Sequence, residues 1–200
     1  MKVLVIVAHP DDETIWTGGF ILRHPEWDWT VVSLCRADDP DRSTKFKKVC
    51  NLFGATGLIY DLDDSNPLLY IDPPRDIADR IVKAAGNKSW DLCVTHGSDG
   101  EYGHQRHKEI HLEVVRLVSE GTLRCSELWT FACECDSQTG ACTAVSQADV
   151  LVQLTEEEFA EKKRIIHEEY GCATDSFEWR ASISEEAFRR LKEVSKGVRR

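Results

Sequence analysis

The fold follows from Lys2-Val3-Leu4-Val5-Ile6-Val7 and from Ala8-His9-Pro10-Asp11-Asp12-Glu13 directly after it. The first segment is a continuous apolar run rich in β-branched residues, which is typical of a strand buried on both faces of a parallel sheet. The second places a His and acidic residues at the carboxyl end of that strand, where open α/β sheets bind their ligands. Pro10 fixes its own φ and keeps His9 extended. The sequence therefore begins with a predicted strand that ends in a candidate site.

Strand and helix patterns alternate after this stretch. Apolar runs predict strands at 29–35, 57–62, 90–95, 127–133 and 148–154, the last at a sheet edge. Capping residues, prolines and glycine stops predict helices at 12–23, 42–53, 73–85 and 105–119. This alternation predicts an α/β fold, a Rossmann-like, mostly parallel sheet flanked by helices, with the active site at the carboxyl ends of the strands.

Two capping-box patterns lie near the end of the chain. Thr155-Glu156-Glu157-Glu158 and Ser184-Glu185-Glu186-Ala187 each predict the start of a helix. No internal repeat or low-complexity linker interrupts the sequence. A length of 200 residues suits one domain, so we predict a single domain over residues 1–200.

Composition and charge exclude several classes of protein. A formal net charge of -10, with no long basic stripe, argues against a general nucleic-acid surface. No apolar run approaches the ~20 residues of a membrane span, and no signal-peptide pattern opens the chain. We therefore expect a cytoplasmic protein without an integral membrane segment. The sequence leaves the oligomeric state open, a homo-oligomer included.

The chain contains 8 cysteines. Those inside predicted strands and helices, such as Cys35 and Cys93, are expected to be buried free thiols, since the cytosol keeps thiols reduced. Cys133, Cys135 and Cys142 are closer together, but their spacing fits no standard structural zinc site. A second metal site or a disulfide among these three is the less favoured alternative.

A second polar segment follows the predicted strand at 90–95 and leads into the helix at 105–119. Parallel strands end at the same edge of a sheet, so this segment is expected to meet the first motif. The side chains brought together are His9, Asp11, Asp12, Tyr102, His104 and His107. Two imidazoles and one carboxylate, with a position left open, are typical of a hydrolytic zinc site. His96 is a candidate for supporting the ligands, whereas His111 is expected to cover a helix face.

Together the motifs resemble the PIG-L/LmbE-like family of zinc-dependent de-N-acetylases. The resemblance rests on His9-Pro10-Asp11-Asp12-Glu13 and on Gly103-His104 followed by His107. The segments 42–54 and 163–170 are also similar to helices of that family. The family resemblance implies a reaction that removes the acetyl group from an N-acetylated amino sugar of the N-acetylglucosamine type, or from its conjugate, and releases a free amine.

By position, the resemblance implies three zinc ligands, His9, Asp12 and His107. It implies that Asp11 is the general base for the zinc-bound water and that a charged His104 stabilises the oxyanion. Tyr102 and Arg42 would line the substrate pocket. The partner implied is a small-molecule amino-sugar substrate. The sequence leaves open which N-acetylated compound it is, and whether the native metal is zinc or another divalent ion.

Two positions depart from the family pattern. Arg106 stands where many bacterial members have an Asp that pairs with the oxyanion-stabilising His. A guanidinium close to His104 would lower the pKa of that imidazole. Lys45 falls where the family usually has Glu. These departures keep open a member of the fold that binds metal and sugar without cleaving the amide.

A receiver-like signalling domain is a further and much less favoured alternative. It also carries an acidic pair after its first strand, and Asp61 or Asp63 could act as a phospho-acceptor. That class needs a Lys after its fifth strand, and no Lys occurs between Lys108 and Lys162. The sequence therefore favours the deacetylase interpretation.

Overall fold

The computed structural model describes residues 1–66, 68–72, 74–136 and 139–193. Its strands are β1 (Lys2–Val7), β2 (Asp28–Ser33), β3 (Thr56–Ile59), β4 (Ser89–Thr95), β5 (Arg124–Phe131), β6 (Cys133–Cys135), β7 (Cys142–Ala144), β8 (Val150–Gln153) and β9 (Glu185–Glu193). Its α-helices are α1 (Asp12–Arg23), α2 (Pro40–Leu52), α3 (Arg75–Ala85), α4 (Gln105–Ser119), α5 (Glu156–Arg164) and α6 (Phe177–Ala181). A π-helical turn, Ile165–Glu169, continues α5.

The central sheet has seven strands in the order β3-β2-β1-β4-β5-β9-β8. Strands β1 to β5 pair in parallel, and β9 pairs antiparallel with β5 and with β8. The predicted mostly parallel α/β sheet and the edge position of β8 are confirmed. The chain leaves β1 towards β2 on one side and reaches β4 on the other. Strands β1 and β4 therefore flank the topological switch point, where doubly wound sheets open a crevice for ligands.

Alternate side chains of β1 pack into two separate cores. Val3, Val5 and Val7 lie in a core shared with α1 and α2, whereas Leu4 and Ile6 lie in a core shared with α3 and α4. All five side chains are 0% exposed. Burial of an aliphatic side chain of this size stabilises the fold by about 1.5–3 kcal/mol. The carboxyl end of β1 is therefore held firmly from both faces.

The helix predicted at Ser184 is wrong, because this segment forms strand β9. Phe188 lies opposite Phe131 of β5 and is 0% exposed. The pairing partners of β9 are far away in the sequence, and a local capping pattern carries no information about them. Long-range pairing has overridden a local helix signal here.

Glu186 shows why the local signal was misleading. Its carboxylate is buried and forms an ion pair with Nζ of Lys162 at 2.8 Å. It also accepts the backbone N–H groups of Gly19 and Phe20 in α1, each at 2.8 Å. A side chain that reads as part of the acidic first turn of a helix therefore links β9 to α1 and α5.

A disulfide joins Cys135 to Cys142, which is the alternative that the sequence analysis favoured less. Cys35 and Cys93 are buried free thiols, as predicted. The two residues lie directly opposite each other in the antiparallel β6–β7 pair. Cys133, at the other end of β6, is a buried free thiol. Cross-strand pairing brings the two sulfurs together, and the C-x-C-x6-C spacing alone could not reveal it.

The other predicted helices agree with the sequence patterns, whereas α6 was not predicted. The capping box of α5 is present, with Thr155 and Glu158 bonded reciprocally. Helix α3 begins at Arg75; Pro73, where the sequence predicted its start, lies outside the described residues. Among the helices of the described ranges, none has the length and apolar composition needed to cross a bilayer.

Candidate metal centre and active site

The carboxyl ends of β1 and β4 meet at a pocket of about 180 Å³. The predicted site residues that line it are His9, Asp11, Asp12, Arg42, Tyr102 and His104. His107, from the first turn of α4, is 0% exposed and contacts His9 and Asp12 from below the pocket surface. The structure thus brings every residue predicted for the site into one place.

Three atoms from His9, Asp12 and His107 have the spacing of a tetrahedral metal site. Nδ1 of His9 lies 3.2 Å from Oδ2 of Asp12, and Nε2 of His107 lies 3.3 Å from each of these two atoms. Zinc bonds of 2.0–2.1 Å in tetrahedral geometry place ligand atoms about 3.4 Å apart. The donor set and its spacing therefore fit a zinc ion.

A neighbouring group, His96, Glu101 and His107, does not fit an ion as well. Oε2 of Glu101 lies 2.9 Å from Nδ1 of His96 and 2.5 Å from Nδ1 of His107. These are hydrogen-bond distances, shorter than the ligand spacing around a tetrahedral ion. Glu101 therefore contacts His107 on the side opposite the candidate metal centre.

A third group, His9, Asp64 and His104, also meets the size of a metal site. Oδ2 of Asp64, however, accepts a hydrogen bond from the Arg36 guanidinium at 2.8 Å and lies 3.1 Å from Nε2 of His9. A carboxylate occupied by a guanidinium is a weaker candidate ligand. Asp64 instead accepts the Nε2 proton of His9, which leaves Nδ1 free to face Asp12.

Asp11 lies in a strained backbone conformation beside this centre. Its φ of 113° is in a region that L residues rarely adopt. Its N–H donates to Glu13 at 3.1 Å, and Oδ2 accepts from the Arg42 guanidinium at 2.7 Å. Burial, with the charge of Asp12, raises the pKa of Asp11 to about 7, against the opposing effect of Arg42. Backbone strain of this kind clusters at functional sites. The strained conformation of Asp11 therefore indicates a functional role for this turn, since the strain itself does not stabilise the fold.

The charges of Asp12 and His107 stabilise each other. Burial disfavours the charged form of Asp12, but His107 and His9 hold its pKa well below the usual range. Burial also opposes the imidazolium of His107, yet Asp12 and Glu101 raise its pKa to about 10. Metal binding needs the neutral imidazole, so an ion at this centre would displace a proton from His107.

His104 caps the N-terminus of α4. Its Nδ1 accepts the backbone N–H of Arg106 at 3.2 Å, so the other ring nitrogen, Nε2, carries the proton of the neutral ring. Burial and the positive charges of His107 and His9 lower the pKa of His104 to about 4. The lowered pKa favours the neutral imidazole of His104 near pH 7, whereas the family resemblance implied a charged one.

Arg106 is not the cause of that lowered pKa. Its guanidinium forms a buried ion pair with Glu109 and bonds the carbonyl of Leu69 at 3.3 Å. It therefore ties the segment before α3 to α4, and Glu109 also accepts the N–H of Ile71 at 2.6 Å. Arg106, which departs from the family pattern, therefore has a structural role in this protein.

A family model with the description "PIG-L: GlcNAc-PI de-N-acetylase" matches residues 4–118. The match spans more than half of the chain and includes both motifs of the metal centre. The chain belongs to the PIG-L family. The family resemblance inferred from the two motifs is confirmed, and the receiver-like alternative is excluded by family and by the strand order of the sheet.

Similar PIG-L sequences include named deacetylases. The 1D-myo-inositol 2-acetamido-2-deoxy-alpha-D-glucopyranoside deacetylase of Corynebacterium diphtheriae is 25% identical over 154 residues, 60% of this chain and 52% of that protein. The protein of the same name from Actinosynnema mirum is 21% identical over 192 residues, 78% and 68% of the two chains. Uncharacterized protein L374 of Acanthamoeba polyphaga mimivirus is 26% identical over 124 residues, 54% and 53%. The chain spans about half the length of the first curated relatives it matches.

Solved structures confirm the fold over nearly the whole chain. The conserved protein TT1542 of Thermus thermophilus has a TM-score of 0.68 at 13% identity, covering 98% of this chain and 97% of that one. The A40926 pseudoaglycone deacetylase Dbv21 has a TM-score of 0.63 at 13% identity, covering 98% and 99%. The 4-carboxy-2-hydroxymuconate hydratase GalB of Pseudomonas putida KT2440 has a TM-score of 0.63 at 15% identity, covering 99% and 100%. A deacetylase and a hydratase share this fold, so fold alone does not select the reaction.

Several residues at the site were missed by the sequence analysis. They are Arg36, Asp64, Phe177 and Glu178, which line the pocket, and Glu101, which contacts His107. The acidic run at 61–64 was the one available signal, because it follows the third strand. Phe177 and Glu178 lie in α6, far outside the matched region, and no motif marks them. Phe177 packs against Tyr102 with ring centroids 4.6 Å apart, so α6 forms one wall of the pocket.

Proposed function

We propose that the protein is a zinc-dependent hydrolase that removes the acetyl group from an N-acetylated amino sugar or its conjugate. The observation that carries this proposal is the near-equal spacing of 3.2–3.3 Å among the ligand atoms of His9, Asp12 and His107. Membership of the PIG-L family supports the reaction class, and two imidazoles with one carboxylate suit zinc.

In this proposal Asp11 is the general base. Zinc, when bound at this centre, would polarise the amide carbonyl and lower the pKa of water. The carboxylate of Asp11 takes the proton of the attacking water and delivers it to the nitrogen of the leaving amine. Arg42, at 2.7 Å from Oδ2 of Asp11, holds that carboxylate at the pocket. The N–H of Asp11 is fixed by Glu13, which keeps the strained turn in place.

His104 is the donor to the oxyanion. Because its Nδ1 accepts the helix N–H of Arg106, its Nε2–H is free to donate to charge that develops on the carbonyl oxygen. A neutral donor suffices for this role, since a hydrogen bond to an oxyanion is charge-assisted. The lowered pKa of His104 is thus compatible with catalysis near neutral pH.

The pocket favours a small polyol with one apolar face. Tyr102 and Phe177 supply an aromatic wall, and Arg36, Arg42 and Glu178 supply charged groups for hydroxyls. The named relatives act on a 2-acetamido sugar, which is the substrate class we propose here. We also propose a small-molecule partner without nucleic acid, given the net charge of -10.

Acetate release tests the proposal. Zinc-loaded protein, offered a panel of N-acetylglucosamine compounds, is expected to release acetate from at least one member. The same protein after chelation is expected to release none, and re-addition of zinc to restore the rate. Release that persists after complete chelation would contradict the metal-dependent reaction.

The binding-only alternative has lost its main support. Arg106 raised it, and the Arg106 guanidinium is directed to Glu109 rather than to the His104 ring. A zinc-loaded protein that binds N-acetylglucosamine in calorimetry yet releases no acetate would revive this alternative.

A further inference from the structure

One buried carboxylate has no place in the reaction described above. Glu101 lies in the loop between β4 and α4, is 4% exposed and has a φ of 60°. That left-handed conformation favours glycine, so a glutamate at this position does not stabilise the backbone of the loop. Oε1 of Glu101 accepts the backbone N–H of Gly97 at 2.7 Å. The contacts of the carboxylate, rather than its backbone preference, account for its position.

The proton on His96 can be assigned from its neighbours. The N–H of Ala8 donates to Nε2 of His96 at 2.9 Å, so this nitrogen carries a lone pair. Nδ1 therefore carries the proton and donates to Oε2 of Glu101 at 2.9 Å. His111 donates from Nδ1 to the carbonyl of His96 at 2.9 Å, which fixes the backbone. Both ring nitrogens of His96 are committed, and neither is available to a metal.

The same carboxylate oxygen faces His107. Nδ1 of His107 lies 2.5 Å from Oε2 of Glu101, and an ionised carboxylate only accepts, so Nδ1 donates. Nε2 of His107 faces Asp12 and His9, each at 3.3 Å, so this is the nitrogen that gives up its proton and binds when an ion enters the centre. The His96 ring stacks on the His107 ring with centroids 3.8 Å apart and planes at 21°, which limits its rotation.

We infer that Glu101 is a positioning residue for the metal centre. It holds the proton on Nδ1 of His107 and the ring in one plane, so that Nε2 is presented to the metal. His96, held by Ala8 and His111, keeps Glu101 in place from the other side. The inference rests on the metal centre of the proposed function, but it does not require the deacetylation reaction.

The first test compares Glu101→Gln with Glu113→Gln. Glu113, in helix α4, is also a buried carboxylate, is 8% exposed and pairs with Arg116 at 2.8 Å. Loss of a carboxylate behind a metal-binding His lowers metal affinity by roughly 10–100-fold. Zinc affinity, measured by competition with a chelating indicator, is expected to fall by this factor in E101Q and to stay unchanged in E113Q. Wild-type affinity in E101Q would overturn the inference.

A second measurement needs no variant and applies if E101Q fails to fold. In nitrogen-15 NMR spectra of the zinc-loaded wild-type protein, His107 is expected to show a slowly exchanging proton on Nδ1. A metal-bound Nδ1, or a freely exchanging proton there, would overturn the inference.

The two proposals can fail separately. A wild-type protein that binds zinc with the expected His107 spectrum but releases no acetate contradicts the proposed reaction and leaves the role of Glu101 intact. Metal-dependent acetate release with wild-type zinc affinity in E101Q contradicts the role of Glu101 alone.

Discussion

Residues 4–118, the matched region, and residues 119–193, the C-terminal region, use buried polar groups for different purposes. In the matched region Asp11, Asp12 and His107 converge on one crevice. In the C-terminal region the buried pair of Lys162 and Glu186 fastens β9 and α5 to α1. The buried polar groups of the first region thus surround the proposed metal centre, whereas those of the second connect the sheet to its helices.

The C-terminal region also contributes to the pocket. Helix α6 of the C-terminal region places Phe177 and Glu178 in the pocket. The proposed metal ligands and general base thus come from the matched region, whereas part of the pocket wall comes from the C-terminal region. Variants in the two regions should therefore separate loss of activity from loss of stability.

The largest effect is expected for Asp12→Ala, which removes a ligand from the matched region. Only two imidazoles would remain to hold the ion. Zinc content after dialysis should fall to background. The rate of acetate release should drop by more than the roughly 10–100-fold that follows loss of a residue supporting a metal ligand. Metal analysis together with rates provides the measurement, and an unchanged zinc stoichiometry would refute the ligand assignment.

Asp11→Asn comes next and distinguishes the base from the ligands. Loss of a general base costs roughly 10²–10⁴-fold in rate. We expect kcat to fall in this range while zinc binds at the wild-type stoichiometry. Steady-state kinetics and metal analysis on one preparation check both parts, and near wild-type turnover would remove Asp11 from the role of base.

In the C-terminal region, Lys162→Met should reduce stability without abolishing the chemistry. It leaves the carboxylate of Glu186 buried without its cation, which costs about 3–5 kcal/mol of the free energy of unfolding. Denaturant unfolding measures the loss. Lys48→Met is the control. The Lys48 side chain is 64% exposed, so its ion pair with Glu169 contributes less than about 1 kcal/mol to the free energy of unfolding. Equal effects from the two variants would contradict the bracing role.

The Cys135–Cys142 disulfide provides a smaller test in the same region. The half-cystines are 7 residues apart, and closing a loop of this size stabilises a fold by about 2.5 kcal/mol. The double variant Cys135→Ser with Cys142→Ser should lose this amount and keep its kcat. Wild-type protein in a dithiol reductant should have the same stability as the double variant. If the reductant also lowers the stability of the double variant, the loss does not come from this disulfide.

The smallest effect is expected for Lys45→Ala, at the second departure from the family pattern. Lys45 pairs with Asp41 at 2.7 Å on the surface of α2, and it does not line the pocket. Stability should change by less than about 1 kcal/mol and kcat should not change. A loss of activity in K45A would show that this position acts on the substrate.

The sequence predictions were accurate where the information lies in adjacent residues. Strand β1 and its motif are encoded in adjacent residues, so their positions in the fold follow from one apolar run and from parallel pairing. Helix α4 begins and ends where its periodicity predicted, at Gln105 and Ser119. Information of this kind is local and needs no knowledge of distant partners.

What the sequence could not reveal depends on partners far along the chain. Strand β9 was misread as a helix because a Ser followed by Glu185 and Glu186 is typical of a helix start, and the partner of Glu186, Lys162, is far away in the sequence. The neutral state of His104 depends on burial and on the charges of His107 and His9, which only the assembled site provides. Glu101 was missed because its contacts with His96 and His107 exist only in the folded loop.

The most direct test of the account is the position of the ion in a crystal of the zinc-loaded protein, located by anomalous diffraction at the zinc edge. The account predicts one ion bound by Nδ1 of His9, Oδ2 of Asp12 and Nε2 of His107. An ion bound instead by Asp64 and His104, or by His96 and Glu101, would contradict it.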